Sequence, residues 1–297
     1  MAVATSLGPK LKPARARAAG DGRLVLLSIP ILFLAAFLVV PMTVMIAYSF
    51  YSQDALTGLP IADFTFDNYR LIFTDPLYYN SIFNSLEVMV TVSVICLLVG
   101  YPVAYFIAVQ APPRWQALLL LLVILPQWTS LLIRSFSWIA VLRPNGLIDW
   151  ALTGIGITSQ PLDLLYSRTA VIIGLVHIYM PFMILGVHAS LKALDLSLIS
   201  AARDLGATPF SAFRRVVLPL TMPGISTGLI LVALPVLGAF LTPRILGGSS
   251  EVLIGNLIEI QFKQLANWPL GAALGALVSV ALLIGVAGLS FVGRSRV

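Results

Sequence analysis

Two ionisable residues, Glu87 and Arg134, lie inside long apolar stretches of the sequence. A charge in the hydrocarbon region of a bilayer is costly and normally faces a partner or a water-filled cavity. If both stretches are helical, Glu87 lies about 8 Å and Arg134 about 12 Å from their outer ends, at about 1.5 Å per residue. The two side chains could therefore meet in the outer half of a membrane. Either they form a buried ion pair, or Arg134 extends its side chain to the membrane interface, or one or both line a solute pathway or its outer gate.

Three aromatic residues in the same kind of surroundings, Trp128, Trp138 and Tyr179, could stack on a cationic or flat solute. Trp and Tyr are also common at membrane interfaces and in helix packing, so both interpretations stay open. The lone Cys96 forms no disulfide within the chain, and two histidines are too few for a histidine-rich metal site. We therefore predict no catalytic residue and no metal ligand. Nothing resembles a Gly-rich phosphate loop with Lys, so any ATP must be bound by another chain.

The composition indicates what solvent surrounds these residues. Of the 297 residues, 59% are hydrophobic and 10% are charged, whereas soluble domains carry roughly 25% charged residues. Such a chain cannot cover itself with polar surface, and lipid is its expected solvent. The net charge of +6 fits basic loops beside anionic lipid better than it fits binding to nucleic acid.

A transmembrane helix needs about 20 mostly apolar residues, and six stretches of the sequence meet this requirement. These predicted spans are Leu24–Ser49, Ile82–Val109, Ala117–Leu142, Ala170–Leu191, Leu218–Leu241 and Leu270–Val292. Internal prolines are tolerated where neighbouring groups satisfy the freed carbonyls. The sequence thus predicts an all-α membrane protein with six transmembrane helices.

The distribution of Lys and Arg predicts the orientation of these spans. Most of them lie in the N-terminal tail and in loops on the same side of the membrane as that tail, which is the cytoplasmic side by the positive-inside rule. Both termini are therefore expected in the cytoplasm. Residues 1–22 are expected to form a flexible basic cytoplasmic tail, and residues 23–297 a single transmembrane domain.

The loop at about residues 192–218, between the fourth and fifth spans, has clear helix boundaries. Gly206 follows a helical pattern, where a C-terminus needs a residue free to adopt positive φ. Thr208 and Pro209 then give an N-cap followed by proline at the first helical position. The pattern predicts two short helices with an elbow at Gly206, on the cytoplasmic side. The second helix is expected to present one face made of Phe210, Phe213 and Val217.

This loop resembles the cytoplasmic "EAA" loop of ABC-importer permeases. The resemblance rests on the run from Ala201 to Ala207, on Leu218-Pro219 and on Pro223-Gly224. It implies the type I ABC-importer permease architecture, with a short coupling helix that sits in a cleft of an ATPase subunit. The residues expected to couple to the ATPase are Ser200, Ala201, Ala202, Arg203, Asp204, Leu205, Gly206 and Ala207. The family usually has Glu where this chain has Ser200, so that contact is weakened here or made by Arg203 or Asp204.

Four further stretches are similar to the permeases of spermidine/putrescine-type importers. They are Leu125–Asp149, His177–Leu191, Leu237–Gly248 and Ile254–Gly275. Related systems for opines share these stretches, and Ala239 stands where some polyamine permeases carry an acidic residue. The resemblance implies transport of a small organic cation by a bacterial inner-membrane protein. It also implies a second homologous permease, an ABC ATPase dimer that binds ATP and Mg, and a periplasmic substrate-binding protein.

A different class, a secondary transporter driven by an ion gradient, is the alternative. It predicts inverted repeats, broken helices near the midplane and embedded carboxylates for the ion. Among the predicted spans, Glu87 is the single candidate for such a carboxylate.

Overall fold

The computed structural model describes residues 28–54, 56–156, 162–195, 197–248 and 251–294, with side chains as far as Gly288. The predicted tail, residues 1–22, lies outside the described residues. The chain divides by its internal contacts into two units, Met1–Ala47 and Tyr48–Val297. Almost all of the described part of the first unit belongs to one helix, α1 (Ser28–Tyr48), which is apolar enough to cross a membrane. Within α1 a π-helical turn, Ala35–Val39, precedes an α-helical end, Val40–Tyr48.

The second unit begins with a short antiparallel hairpin and continues as helices. Its elements are β1 (Ser52–Gln53), β2 (Pro60–Ile61), α2 (Asp67–Thr74), α3 (Pro76–Tyr105), α4 (Pro113–Ile124), α5 (Leu131–Leu142), α6 (Leu147–Gly154), α7 (Arg168–Ala193), α8 (Ser197–Asp204), α9 (Pro209–Ala212), α10 (Leu218–Leu220), α11 (Met222–Leu237), α12 (Leu241–Leu246), α13 (Ile254–Lys263) and α14 (Trp268–Arg294). A π-helical segment, Phe106–Gln110, extends α3, and another, Phe213–Val217, joins α9 to α10. A 3₁₀ turn, Leu125–Trp128, extends α4.

Among the described residues, four helices are individually long and apolar enough to span a membrane, and the candidate spans number six if each of two bent pairs is one span. Pro113–Trp128 and Leu131–Gly154 meet at 94°, and Pro209–Leu220 and Met222–Leu237 meet at 64°. The prediction of an all-helical membrane fold is confirmed. The third and fifth predicted spans are each bent within the stretch assigned to them.

Both breaks have local causes in proline and threonine. Pro126 lies in the 3₁₀ turn, and the Thr129 hydroxyl donates to the Pro126 carbonyl over 2.7 Å, which closes the turn. Pro219 and Pro223 lack the amide hydrogens that would continue a helix on either side of Thr221. The Thr221 hydroxyl donates to the carbonyls of Val217 and Leu218 over 3.0 and 3.1 Å. The backbone acceptors at both bends are thereby partly satisfied, as a membrane environment requires.

The core of the second unit forms where α7 packs against both α3 and α11. Glycines let α7 and α11 approach almost backbone to backbone. A Cβ added at Gly186 would lie 2.8 Å from the Gly228 nitrogen, and one added at Gly224 would lie 2.5 Å from the Ser190 Cβ. Small residues at such positions are typical of helix pairs in membranes. The fourth and fifth spans are thus held together along the part that leads into the 64° bend.

The hairpin lies beside the start of α14, where Gln53 Nε2 donates to the Ala266 carbonyl over 3.3 Å. In the register of β1 and β2, Ser52 pairs with Ile61. The Asp63 carboxylate accepts hydrogen bonds from the backbone N–H and the hydroxyl of Ser52, each over 2.8 Å. These bonds favour the ionised form and lower the pKa of Asp63. This hairpin was not predicted from the sequence.

Substitution of Gly224 tests the close approach of α7 and α11. We expect Gly224→Ala to lower the thermal unfolding temperature in detergent, because overpacking a tight contact costs about 1–3 kcal/mol. Gly285→Ala is the matched control, since a Cβ there meets nothing within 4 Å among the described residues. Equal unfolding temperatures for the two variants would contradict this packing.

Candidate functional site

The coupling segment, defined here as residues 197–220, starts with a capped helix and a glycine elbow. The Asp195 carboxylate accepts a hydrogen bond from the Ser197 N–H over 2.9 Å, which lowers the pKa of Asp195. The stabilisation of the folded state by this hydrogen bond is present at pH values above the ordinary Asp pKa of 3.8. It is lost as the pH falls through the lowered pKa of Asp195. Gly206 has φ +85. The N–H groups of Gly206 and Ala207 bond back to the carbonyls of Arg203 and Ala202 over 2.9 and 3.0 Å. These two bonds form a Schellman motif, so α8 ends where the sequence predicted.

The second half of the coupling segment starts at the predicted cap. The Thr208 hydroxyl accepts a hydrogen bond from the Ser211 N–H over 3.2 Å, with Pro209 in the first turn. The predicted common face is wrong, because Phe210 is 71% exposed whereas Phe213 is packed inward against the core. Phe213 opens the π-helical segment, which changes the angular spacing of the residues that follow it.

An open groove of about 590 Å³ runs along the elbow. It is lined by Ala202, Leu205, Gly206, Ala207, Thr208, Ser211, Ala212, Arg215 and Val216. Leu205 is 89% exposed beside the groove. Of the eight predicted coupling residues, Ala202 and Ala207 are half-buried and the other six are exposed. A surface that combines exposed leucine, small residues and a cation can receive another protein.

A buried hydrogen bond joins the end of the coupling segment to α3. The Tyr101 hydroxyl and the Thr221 hydroxyl are 2.9 Å apart. The single hydroxyl hydrogen of Thr221 points to the carbonyls at the bend, so Tyr101 is the donor. The ring of Phe213 meets Tyr101 and Tyr105 edge-on at 5.6 and 6.1 Å. The segment is therefore fixed to both the second and the fifth spans. Sequence reasoning missed Tyr101 and Thr221, which are far apart in the chain.

Arg134 lines a cavity of about 310 Å³ beside the break between α4 and α5. The lining residues are Pro126, Thr129, Ile133, Arg134, Ser137, Trp138, Val141 and His177. Arg134 Nη1 donates to Gln127 Oε1 over 3.0 Å, and Gln127 Nε2 donates to the Ile178 carbonyl over 2.6 Å. Trp138 Nε1 donates to His177 Nδ1 over 3.2 Å. The structure thus brings two predicted pathway residues, Arg134 and Trp138, into one cavity with His177.

Of the other predicted pathway residues, Tyr179 lies close enough to Arg134 to interact with it electrostatically, whereas Glu87 and Trp128 lie elsewhere. Glu87 pairs with Arg168 over 2.8 Å, so the expectation that Glu87 meets Arg134 is wrong. The expected meeting assumed a straight third span, whereas α5 is turned sharply away from α4. Trp128 is 79% exposed, and Tyr179 packs near Phe182 at 6.4 Å between ring centroids. Gln127 and Arg168 are further polar residues that sequence reasoning missed.

Known proteins resemble this chain in both sequence and fold. Residues 100–294 match the family described as binding-protein-dependent transport system inner membrane component. The chain is 42% identical over 258 residues to the spermidine/putrescine transport system permease protein PotB of Haemophilus influenzae, which covers 86% of this chain and 88% of that protein. The identity to PotB of Escherichia coli K12 is 38% over 250 residues, or 84% and 90% of the two chains. The same fold occurs in a chain of a crystal structure of a bacterial alginate ABC transporter in complex with an alginate pentasaccharide-bound periplasmic protein. The TM-score is 0.72 and the sequence identity is 21%, and the match covers 93% of this chain and 95% of that chain.

These findings define the class of protein. The chain belongs to the family of binding-protein-dependent transport system inner membrane components. It is a multi-pass permease subunit of an ABC importer, and ATP hydrolysis is the task of another subunit. The resemblance drawn from the loop motif is confirmed, and this family replaces the alternative of an ion-gradient-driven transporter.

Proposed function

We propose that this permease carries a polyamine, such as spermidine or putrescine, or a related small organic cation into the cell. The observation that carries the proposal is the 42% identity to a spermidine/putrescine permease over 86% of the chain. In this proposal the chain forms one pathway with a second homologous permease. A periplasmic binding protein delivers the solute, and both termini lie in the cytoplasm.

The coupling segment is the proposed contact with an ABC ATPase dimer, which binds ATP and Mg. Ala202, Leu205, Gly206 and Ala207 line the groove, and exposed Leu205 gives it an apolar anchor. Ser200 is exposed and takes the place of the acidic residue expected from the family motif. Arg203 and Asp204 are exposed on the same short helix and supply charges for the contact in its absence.

Movement of the ATPase subunits would reach the membrane through the bend at Thr221. Because Tyr101 and Phe213 fix the segment to α3, while α10 leads directly into α11, a tilt of the segment would displace the second and fifth spans together. Close packing of α11 on α7 would carry the same tilt into the fourth span. The chain's own part in import is thus mechanical.

The proposed pathway residues divide into two groups. Arg134 and Trp138 line the cavity at the break in the third span, and Trp128 and Tyr179 are the proposed aromatic contacts with the solute or with neighbouring helices. Glu87 keeps an exposed carboxylate while it is paired with Arg168. A carboxylate of this kind suits an outer gate for a cation.

Uptake by the assembled importer tests the proposed substrate. The two permeases, the ATPase and the binding protein are reconstituted in liposomes with ATP inside and radiolabelled spermidine or putrescine outside. We expect ATP-dependent uptake that requires the binding protein and is blocked by unlabelled polyamine. Uptake of opines without uptake of polyamines would contradict the polyamine assignment. Uptake driven by a proton or sodium gradient without ATP would contradict import by this mechanism.

The elbow at Gly206 tests the proposed coupling. Gly206→Val forces a β-branched residue to adopt φ +85, which costs on the order of 1–3 kcal/mol. We expect solute transported per ATP hydrolysed to fall by about tenfold, with or without partial loss of the ATPase from the purified complex. Gly154→Val is the matched control, because a Cβ at Gly154 also meets nothing within 4 Å and its φ lies outside the left-handed region. Normal transport by Gly206→Val would show that the elbow is not needed for coupling.

A further inference from the structure

Arg134 has more hydrogen-bond donors than the described residues satisfy. A guanidinium carries five N–H groups. Nη1 donates to Gln127 Oε1, whereas Nε is buried without a hydrogen-bond partner among the described residues. The Gln127 amide nitrogen is already used on the Ile178 carbonyl, so Gln127 is held in place with its oxygen towards Arg134. The cavity wall thus presents a fixed cation with unused donors.

The other polar groups of the cavity do not neutralise this cation. The hydroxyls of Thr129 and Ser137 donate to the backbone carbonyls of Pro126 and Ile133, over 2.7 and 2.8 Å. The Trp138 N–H is used on His177. The cavity lining contains no carboxylate, and the ion pairs found in the described part of the chain join Glu87 to Arg168 and Glu259 to Arg244 and Lys263.

We propose that the Arg134 cavity receives a carboxylate side chain of the second permease, and that this ion pair joins the two permeases within the membrane. The inference rests on the proposed function, which supplies the second permease. A guanidinium binds a carboxylate through two parallel hydrogen bonds, a geometry that suits the unused donors of Arg134. The apolar walls formed by Ile133, Val141 and Pro126 accommodate the methylene stem of Asp or Glu.

Charge complementarity favours the second permease over the solute as the source of the carboxylate. Polyamines are polycations without a carboxylate, and an unneutralised Arg134 beside the pathway would repel them. A carboxylate from the facing subunit removes this repulsion and offsets the cost of an arginine in the membrane. The pair would also select which subunit faces the cavity, because a like charge at that position would be repelled.

Charge variants of Arg134 in the full importer test the proposal. The measurement is the amount of second permease that co-purifies with the tagged chain. Loss of one member of a buried charge pair weakens binding strongly, so Arg134→Gln and Arg134→Glu should reduce co-purification by about tenfold or more. Arg134→Lys keeps the charge but loses the bidentate geometry, so it should retain more co-purification than Arg134→Gln and less than wild type. Arg244→Gln is the matched control, because the carboxylate partner of Arg244 lies in its own chain.

A suppressor selection identifies the partner directly. Starting from Arg134→Glu, restored uptake should arise from replacement of an intramembrane Asp or Glu of the second permease by Lys or Arg. Unchanged co-purification of Arg134→Glu would overturn the proposal, as would suppressors confined to this chain. An effect that disappears in nanodiscs without anionic lipid would assign Arg134 to an anionic lipid headgroup instead. An effect limited to transport of carboxylate-bearing solutes would assign it to the solute.

The wild-type complex separates failure of this inference from failure of the proposed function. If the wild-type chain binds no second permease, the proposed function fails and this site fails with it. If the wild-type complex assembles normally and imports polyamine while Arg134→Glu does the same, the site alone is overturned. If the wild-type complex assembles but imports no polyamine, the substrate assignment fails. The co-purification result then still tests the proposed ion pair between Arg134 and the second permease.

Discussion

The hydrogen bond from Tyr101 to Thr221 is the interaction on which the rest of the proposed mechanism depends. It is buried, and it lies where the coupling segment turns by 64° into the fifth span. The Thr221 hydroxyl also closes the backbone at the bend, and Phe213 packs edge-on against Tyr101. The Thr221 hydroxyl thus accepts a hydrogen bond from Tyr101 of the second span and donates to carbonyls of its own segment. In the proposed mechanism, loss of this contact would let the segment tilt with the fifth span without displacing the second span.

The polar groups at the break in the third span are explained by the need to satisfy backbone N–H and C=O groups inside a membrane. Irregular backbone is tolerated at membrane depth only where protein or a cavity covers it. At this break Gln127 reaches the Ile178 carbonyl of α7, Thr129 closes the preceding turn, and the cavity beside them contains Arg134. A continuous helix would need none of these polar groups. Their presence ties the position of α5 to that of α7, so the cavity is bounded by elements that belong to the tightly packed core.

The sequence predicted features that depend on neighbouring residues and failed where distant residues decide. The elbow at Gly206 and the cap at Thr208 were predicted correctly because glycine, threonine and proline act on their own backbone. The number of candidate spans followed from apolar length. The bend at Thr129 was missed because proline in a membrane span is compatible with both a straight and a broken helix. The pairing of Glu87 with Arg168 was missed because depth along a helix does not determine which helices are neighbours. The contact between Tyr101 and Thr221 joins residues 120 positions apart, and nothing in either local pattern predicts it.

The most direct measurement is the ratio of solute imported to ATP hydrolysed by the reconstituted importer with Tyr101→Phe. This change removes the hydroxyl and keeps the ring that packs on Phe213. The account predicts that the ratio falls about fivefold, as expected for loss of roughly 1 kcal/mol, while ATP hydrolysis and assembly persist. Tyr105→Phe, which alters the other ring beside Phe213, should leave the ratio unchanged. Equal ratios for wild type and Tyr101→Phe would contradict the claim that this hydrogen bond transmits movement into the membrane.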